Sequence, residues 1–278
     1  MSRARGPGSG RARYAEAMAR HAAGTISAPQ LEAYRVTAAG DTLDPAPEFA
    51  ARGLTLPRDP DMTPVSALGL LVDEVDRYLA TLPGPGVAEV RAGLAQWRHG
   101  PVTPAEPAPN AIRDAHLPAA LAALSPTHPA LAQAIAAAAP HLRWITYDRY
   151  DPALIGEGFR SGHAYASFVG EDAAIPARDY DLGLFVIAPH VLYRDHHHAA
   201  PELYAPLTGP HGWRFGAGRP LVTKAAHVPV WNPPHRPHAT KVGAVPFLCL
   251  FGWTRDVNQP AQVIPADDWP QLEALRLD

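Results

Sequence analysis

Tyr193-Arg-Asp-His196-His197-His198-Ala-Ala-Pro-Glu202-Leu-Tyr204-Ala-Pro-Leu-Thr-Gly209 is the densest chemical stretch of the chain. Side chains alternate between the two faces of a strand, so His196 and His198 point one way and His197 the other. Glu202 and Tyr204 likewise share a face. If the chain turns near Pro201, a carboxylate and a phenol reach the point where the two imidazoles converge. Imidazole and carboxylate together suit one divalent transition metal, Fe, Zn, Mn, Ni or Co, and the lack of a thiolate argues against a structural zinc ribbon. A bare run of three histidines more often lies on a solvated loop, so the surrounding pattern must decide between the two.

Outward from this stretch, the chain from Trp144 onward carries short runs rich in Val, Ile, Phe, Tyr and Trp. They include WITY from Trp144, AYASFVG from Ala164, LGLFVIA from Leu182, HVLY from His190, VPVW from Val228 and VPFLCLFGW from Val245, separated by Gly, Pro and Asp clusters. Many short strands at near-regular spacing predict an antiparallel sandwich or barrel. Phe247, Cys249, Phe251 and Trp253 alternate with Leu248, Leu250 and Gly252, which turns one face of a strand aromatic, toward a core or a pocket.

Before Trp144 the period changes. From Pro64 to Leu82, Val65, Leu68, Leu71, Val72, Val75 and Leu79 recur at spacings of three and four, with Asp73, Glu74, Asp76 and Arg77 between them, which predicts an amphipathic helix. Val87, Val90, Leu94 and Trp97 repeat the pattern, as do Ile112 to Leu124 and Leu131 to Ala139, each bounded by proline or glycine. Residues 1–25, opening on a basic, Gly-rich stretch, read as a disordered tail, residues 26–143 as a helical region and residues 144–278 as the β domain.

Composition sets outer bounds. The 278 residues carry a net charge of −3 with 18% charged residues, which gives no basic field for nucleic acid. Apolar runs such as SALGLLV and AIAAAA fall well short of the roughly 20 residues a membrane span needs. A cytoplasmic protein with a small-molecule substrate is expected, binding neither nucleic acid nor membrane, and a homodimer is one assembly open to it. The single cysteine, Cys249, sits among apolar neighbours and reads as a buried strand residue.

The segment His196-x-His198, three residues, Glu202, six residues, Gly209 resembles the first cupin motif. The second motif supplies a further histidine on a later strand, and Trp231-Asn-Pro-Pro-His235-Arg-Pro-His238-Ala-Thr240 stands where it is expected. His238 is the preferred ligand, because Pro-His-Ala ahead of a strand matches the usual placement, and His235 is the alternative. The first motif's leading Gly is replaced by His190, and the second motif lacks its Gly and the following Asn. The resemblance implies a mainly β fold, a C-terminal cupin (double-stranded β-helix, or jelly-roll) barrel preceded by an α-helical region, with His196, His198, Glu202 and His238 holding the metal.

Within cupins, Tyr193-x-x-His196-x-His198-x-x-x-Glu202-x-Tyr204 is similar to the bacterial dimethylsulfoniopropionate lyases, whose metal site adds two tyrosines. The likeness runs from about Trp144 to Val257 and leaves the first sixty residues unexplained. It implies β-elimination of dimethylsulfoniopropionate to dimethyl sulfide and acrylate. Such a step removes a proton alpha to a carboxylate; a metal bound to that carboxylate stabilises the developing charge, and a phenol whose pKa of about 10 is lowered by the cation can act as base. Tyr204 and Tyr193 are equal candidates, although Tyr193, three residues before His196, lies on the wrong strand parity unless the chain bulges. A sulfonium offers no hydrogen-bond donor and is drawn to ring faces, for which Trp213, Trp231, Trp253 and Phe251 are the candidates. Arg214 and Lys224 could meet a carboxylate, and His227 is a reserve base. A cupin oxygenase or isomerase, or a non-catalytic small-molecule-binding cupin, would use the same ligands without needing two tyrosines.

Overall fold

The computed structural model describes residues 10–40, 44–57 and 62–277, and these fall into two compact units, residues 1–62 and 63–278. The first unit holds α1 (Gly10–Ala22), α2 (Ala28–Ala39) and α3 (Ala46–Ala51). Ser27 starts α2 with a reciprocal cap: its hydroxyl accepts from the Gln30 backbone N–H, and the Gln30 side chain accepts from the Ser27 N–H. Tyr34 meets Phe49 edge-on at 5.0 Å, in a small core with Ala17, Ile26 and Ala33.

Helix α1 corrects the expectation of a tail over residues 1–25; residues 1–9 lie outside the described ones. Arg and Gly dominate the first residues, but from Arg13 to Arg20 the chain is built mostly of good helix formers, and Ala17 is buried.

The second unit opens with α4 (Pro64–Leu79), α5 (Val87–Trp97), α6 (Ala111–Leu124) and α7 (Pro129–Ala138). Thr63 caps α4 by accepting from the Ser66 N–H, with Pro64 in the first turn where its missing N–H is harmless. The expected stripe of Leu68, Leu71, Val72, Val75 and Leu79 is buried, while Val65 is exposed. After two single-turn helices, α8 (Pro152–Ile155) and α9 (Glu157–Arg160), come the strands β1 (His163–Gly170), β2 (Ile175–Pro176), β3 (Asp181–Ile187), β4 (Leu192–His197), β5 (Glu202–Pro206), β6 (His211–Arg214), β7 (Val222–Lys224), β8 (Val230–Asn232), β9 (His238–Lys241), β10 (Phe247–Trp253) and β11 (Gln262–Val263), and then α10 (Trp269–Ala274). The WITY run forms no strand beyond a single bridge between Ile145 and Tyr165.

Strands pair as a six-stranded sheet, β2-β1-β3-β10-β5-β8, and a five-stranded sheet, β11-β4-β9-β6-β7. The two sheets form a sandwich that is open at the sheet edges rather than closed into a cylinder, where the resemblance implied a closed barrel. The six-stranded sheet is apolar on both faces. Ala164, Ala166, Leu182, Leu184, Val186, Leu203, Ala205, Leu248 and Leu250 pack with α4–α7 in one core. The alternate residues Phe185, Ile187, Tyr204, Phe247, Cys249 and Phe251 join Tyr193 and Trp213 in a second core. Each Leu or Val so buried contributes about 1.5–3 kcal/mol relative to exposure. The helices from residue 64 onward thus share a core with the strands, and the division expected at residues 143/144 is not a domain boundary; the split between the two units falls at 62/63.

Candidate functional site

His196 and His238 sit side by side on β4 and β9, as directly paired residues. His198 follows β4, and Glu202 opens β5 in the other sheet, so the candidate ligands come from both sheets. All four are buried. The three histidines bring their ligand atoms within 4.8 Å of one another.

Each histidine is oriented by its own backbone. The Nδ1–H groups of His196, His198 and His238 donate to the carbonyls of Arg194 (2.8 Å), Ala200 (2.7 Å) and Arg236 (2.9 Å), each two residues away. That turns every Nε2 toward the interior, the orientation a metal ligand needs. Nε2 of His196 and of His238 is buried and accepts no hydrogen bond, while Nε2 of His198 lies 3.0 Å from Oε2 of Glu202, which is also 3.4 Å from Nε2 of His238. Two orphaned imidazole nitrogens, a third beside a carboxylate and no thiolate fit a divalent transition metal.

Burial alone would raise the Glu202 carboxyl, but His198, bonded to it, and then His238 hold it well below the usual carboxylate range. Burial opposes charge on His198 too, and Glu202 outweighs it and raises that imidazole. The two face each other at 3.0 Å. His196 goes the other way: burial and the neighbouring His238 and His198 push it well down, so it stays neutral.

Beside the ligands lies a cavity of about 400 Å³, lined among others by Tyr150, Tyr165, Tyr193, Glu202, Tyr204 and Trp253. Tyr193 reaches it because β4 carries a bulge: Tyr193 pairs with Thr240 and His196 with His238, one extra residue on β4. Its ring is stacked between Phe159 and His196, each 3.9 Å away, and its hydroxyl shares a 2.5 Å hydrogen bond with that of Tyr150. Tyr204 is buried 6.1 Å from the His238 ring. Burial first, and then the Glu202 charge, push its phenol well above the ordinary value. Burial does the same to Tyr193, reinforced by Tyr150 and Tyr204.

Of the aromatic candidates, Phe251 and Trp253 line the cavity. Trp213 is fully buried in the inner core against Tyr204 and Phe247, and Trp231 turns to the opposite face of the sheet, packed with the helical layer; neither belongs to the cavity lining. His235 is exposed beside His197, on the outer side of the ligand strands. Arg214 is a buried structural cation clamped by Asp195 and Asp268, Lys224 is part-exposed on β7, and His227 bonds the Tyr78 hydroxyl at 3.0 Å, outside the cavity lining. Cys249 is buried and far too high in pKa to be a nucleophile, chiefly by desolvation.

Sequence reading missed Tyr150, Tyr165, Asp181 and Asn232. Asn232 pairs with Glu202 across β8 and β5, with both side-chain polar atoms buried and unpartnered. The tyrosine-rich run Tyr147-Asp-Arg-Tyr150 was the available trace of the first.

The fold and this site define a two-sheet β-sandwich protein with a buried three-histidine centre beside an aromatic cavity. The chain belongs to the dimethylsulfoniopropionate lyase family, whose sequence profile matches residues 98–249. Among solved structures it is similar to a chain from the crystal structures of the DMSP lyases RdDddP and RnDddQII, at 19% identity over 73% of this chain and 100% of that one, with a TM-score of 0.51. It is also similar to DMSP lyase DddQ from Ruegeria pomeroyi, at 22% identity over 70% of this chain and 94% of that one, again with a TM-score of 0.51. No curated sequence matches it. No helix among the described residues is long and apolar enough to cross a membrane.

Proposed function

We propose that this lyase cleaves dimethylsulfoniopropionate by β-elimination, with His196, His198, Glu202 and His238 holding one divalent metal and Tyr204 removing the proton alpha to the substrate carboxylate. The observation that carries the reading is the pair of orphaned Nε2 atoms on His196 and His238 beside Glu202, under a cavity with two tyrosines in its wall. When bound, the metal supplies Lewis-acid stabilisation of charge on the substrate carboxylate and lowers the pKa of a nearby phenol.

Tyr204 is preferred over Tyr193 because it stands next but one to Glu202, on the same face of β5, whereas Tyr193 is three residues from His196 and its hydroxyl shares a hydrogen bond with Tyr150. The Tyr204 phenolate takes the alpha proton, the C–H electron pair becomes the carbon–carbon double bond, and the C–S bond breaks with its electrons on sulfur. Acrylate and neutral dimethyl sulfide leave, and Tyr204 returns its proton to water. Tyr193 and Tyr150 wall the reacting carbon from solvent, and Phe251 and Trp253 offer ring faces to the sulfonium.

Headspace detection of dimethyl sulfide from protein loaded in turn with Fe, Mn, Co, Ni and Zn tests the reading. Release with at least one metal is expected. Silence with all five at high substrate concentration sinks the lyase activity and moves the search to other carboxylates with an acidic alpha proton.

A further inference from the structure

We propose that Asp181 is a specificity-determining residue that selects the cationic end of the substrate, as the second of two carboxylates set across the cavity from each other; this rests on the cavity being the substrate site. Strands β3, β10 and β5 are neighbours, and Trp253 pairs directly with Asp181 on one side and with Glu202 on the other. Paired residues of an antiparallel sheet point to the same face, so the three form one row, and all three line the cavity. Two strand spacings separate the ends of the row by about 10 Å. In a propionate carrying a β-onium group, the onium atom lies three bonds from the carboxylate carbon, about 4 Å on ordinary bond lengths. With the carboxylate held at the Glu202 end, the onium group comes to the Trp253 ring in the middle of the row, on the side that faces Asp181.

Asp181 has no charge partner of its own. Its Oδ1 is buried without a hydrogen bond, and among the described residues no cation forms an ion pair with it. The Ser167 hydroxyl is its side-chain contact, and burial outweighs that contact and pushes the carboxyl up to about 7. Gly170 stands against it: a Cβ there would come 3.0 Å from Oδ1. Of the acidic residues around the cavity, Asp148, Glu171 and Asp172 are exposed, Glu202 is buried, and Asp181 is half-buried with its Oδ1 buried. An inward carboxylate that lacks a cation is costly in the empty protein and is satisfied by a ligand that brings one. An onium group without N–H or O–H donors makes no use of the tyrosine hydroxyls, so charge and ring faces are what remain to bind it.

The test uses the metal-loaded full chain and two carboxylates of one shape, zwitterionic 3-(trimethylammonio)propionate and 4,4-dimethylpentanoate, whose corresponding end is an uncharged tert-butyl group, titrated calorimetrically and as inhibitors. The wild type should bind the zwitterion at least about 10-fold more tightly. Asp181→Asn should cut that ratio by about 10- to 100-fold, the range for a unit charge roughly 4 Å away, and raise KM for dimethylsulfoniopropionate far more than it changes kcat; Asp181→Glu should restore part of the ratio. An unchanged ratio in Asp181→Asn overturns the proposal. If that variant does not fold, equal wild-type affinity for the two ligands overturns it alone. Should the wild type release no dimethyl sulfide, the two binding constants still decide the role of Asp181, so the two readings fail separately.

Discussion

The indole N–H of Trp253 donates to Oε1 of Glu202 at 2.7 Å, while Oε2 of the same carboxylate faces His198 and His238. One oxygen is thereby fixed by the sheet and the other is left for the metal centre. Orienting partners of this kind are typically worth about 10- to 100-fold in metal affinity. Trp253→Phe should weaken metal binding by that factor while keeping the ring face; an affinity within about twofold of wild type, measured by competition with a chelator, would show that the carboxylate holds its own orientation.

His238 should be indispensable to the metal site and His235 dispensable. His238→Ala should abolish high-affinity binding, whereas His235→Ala, exposed on the far side of the ligand strands, should leave metal content nearly unchanged. Elemental analysis of the two purified variants distinguishes them, and the reverse result would reassign the second motif.

General-base assistance is typically worth about 10²- to 10⁴-fold. Tyr204→Phe should therefore lose that much in kcat with metal content intact. Tyr193→Phe, which removes the hydroxyl bonded to Tyr150, should lose less. A Tyr193→Phe variant slower than Tyr204→Phe would exchange their roles.

Metal binding should strengthen with pH. Glu202 is depressed, so its contribution to the stability of metal-free protein is present above the unfolded value of about 4.3 and is lost as pH falls through the folded value. His198 is raised, so its contribution is present below the unfolded value of about 6.5 and is lost as pH rises through the folded one. The metal-free protein should gain most from the pair between those limits. Because a metal competes with the proton for the His198 Nε2, and that imidazole is raised by Glu202, metal affinity should rise with pH until His198 is deprotonated. An affinity independent of pH through the histidine range would mean that no proton is displaced from His198.

The helical layer should be inseparable from the sandwich. Leu71 is fully buried in the core shared by α4 and the six-stranded sheet, and Leu71→Ala should cost about 2–5 kcal/mol. Residues 144–278 alone would expose the outer sheet face and should aggregate; a soluble, monomeric fragment with native circular dichroism would refute this.

Much of the site was legible because it is local. His196, His198, Glu202 and Tyr204 lie within nine residues, where strand parity fixes which side chains converge, and the aromatic alternation of Phe247 to Trp253 named its inner face. What was not legible depends on partners distant in sequence. Nothing near Trp213 or Trp231 says that one ends in the inner core and the other against α-helices, and nothing near Asp181 announces that Trp253 and Glu202 complete its row. The boundary at residue 143 failed for the same reason: a change of period marks where strands begin, not where a core ends.

The extra residue in β4 has a reading beyond geometry. Because Tyr193 and His196 reach one site from positions of unlike parity, the interval between them records an irregular backbone in plain text. A related chain that kept both residues but shortened that interval by one would restore a regular strand, with tyrosine and histidine still on the same side and opposite the same two positions of β9. Counting that interval therefore separates chains that share this chain's wall of the cavity from those that share only its ligands, and the count needs nothing more than their amino-acid sequences.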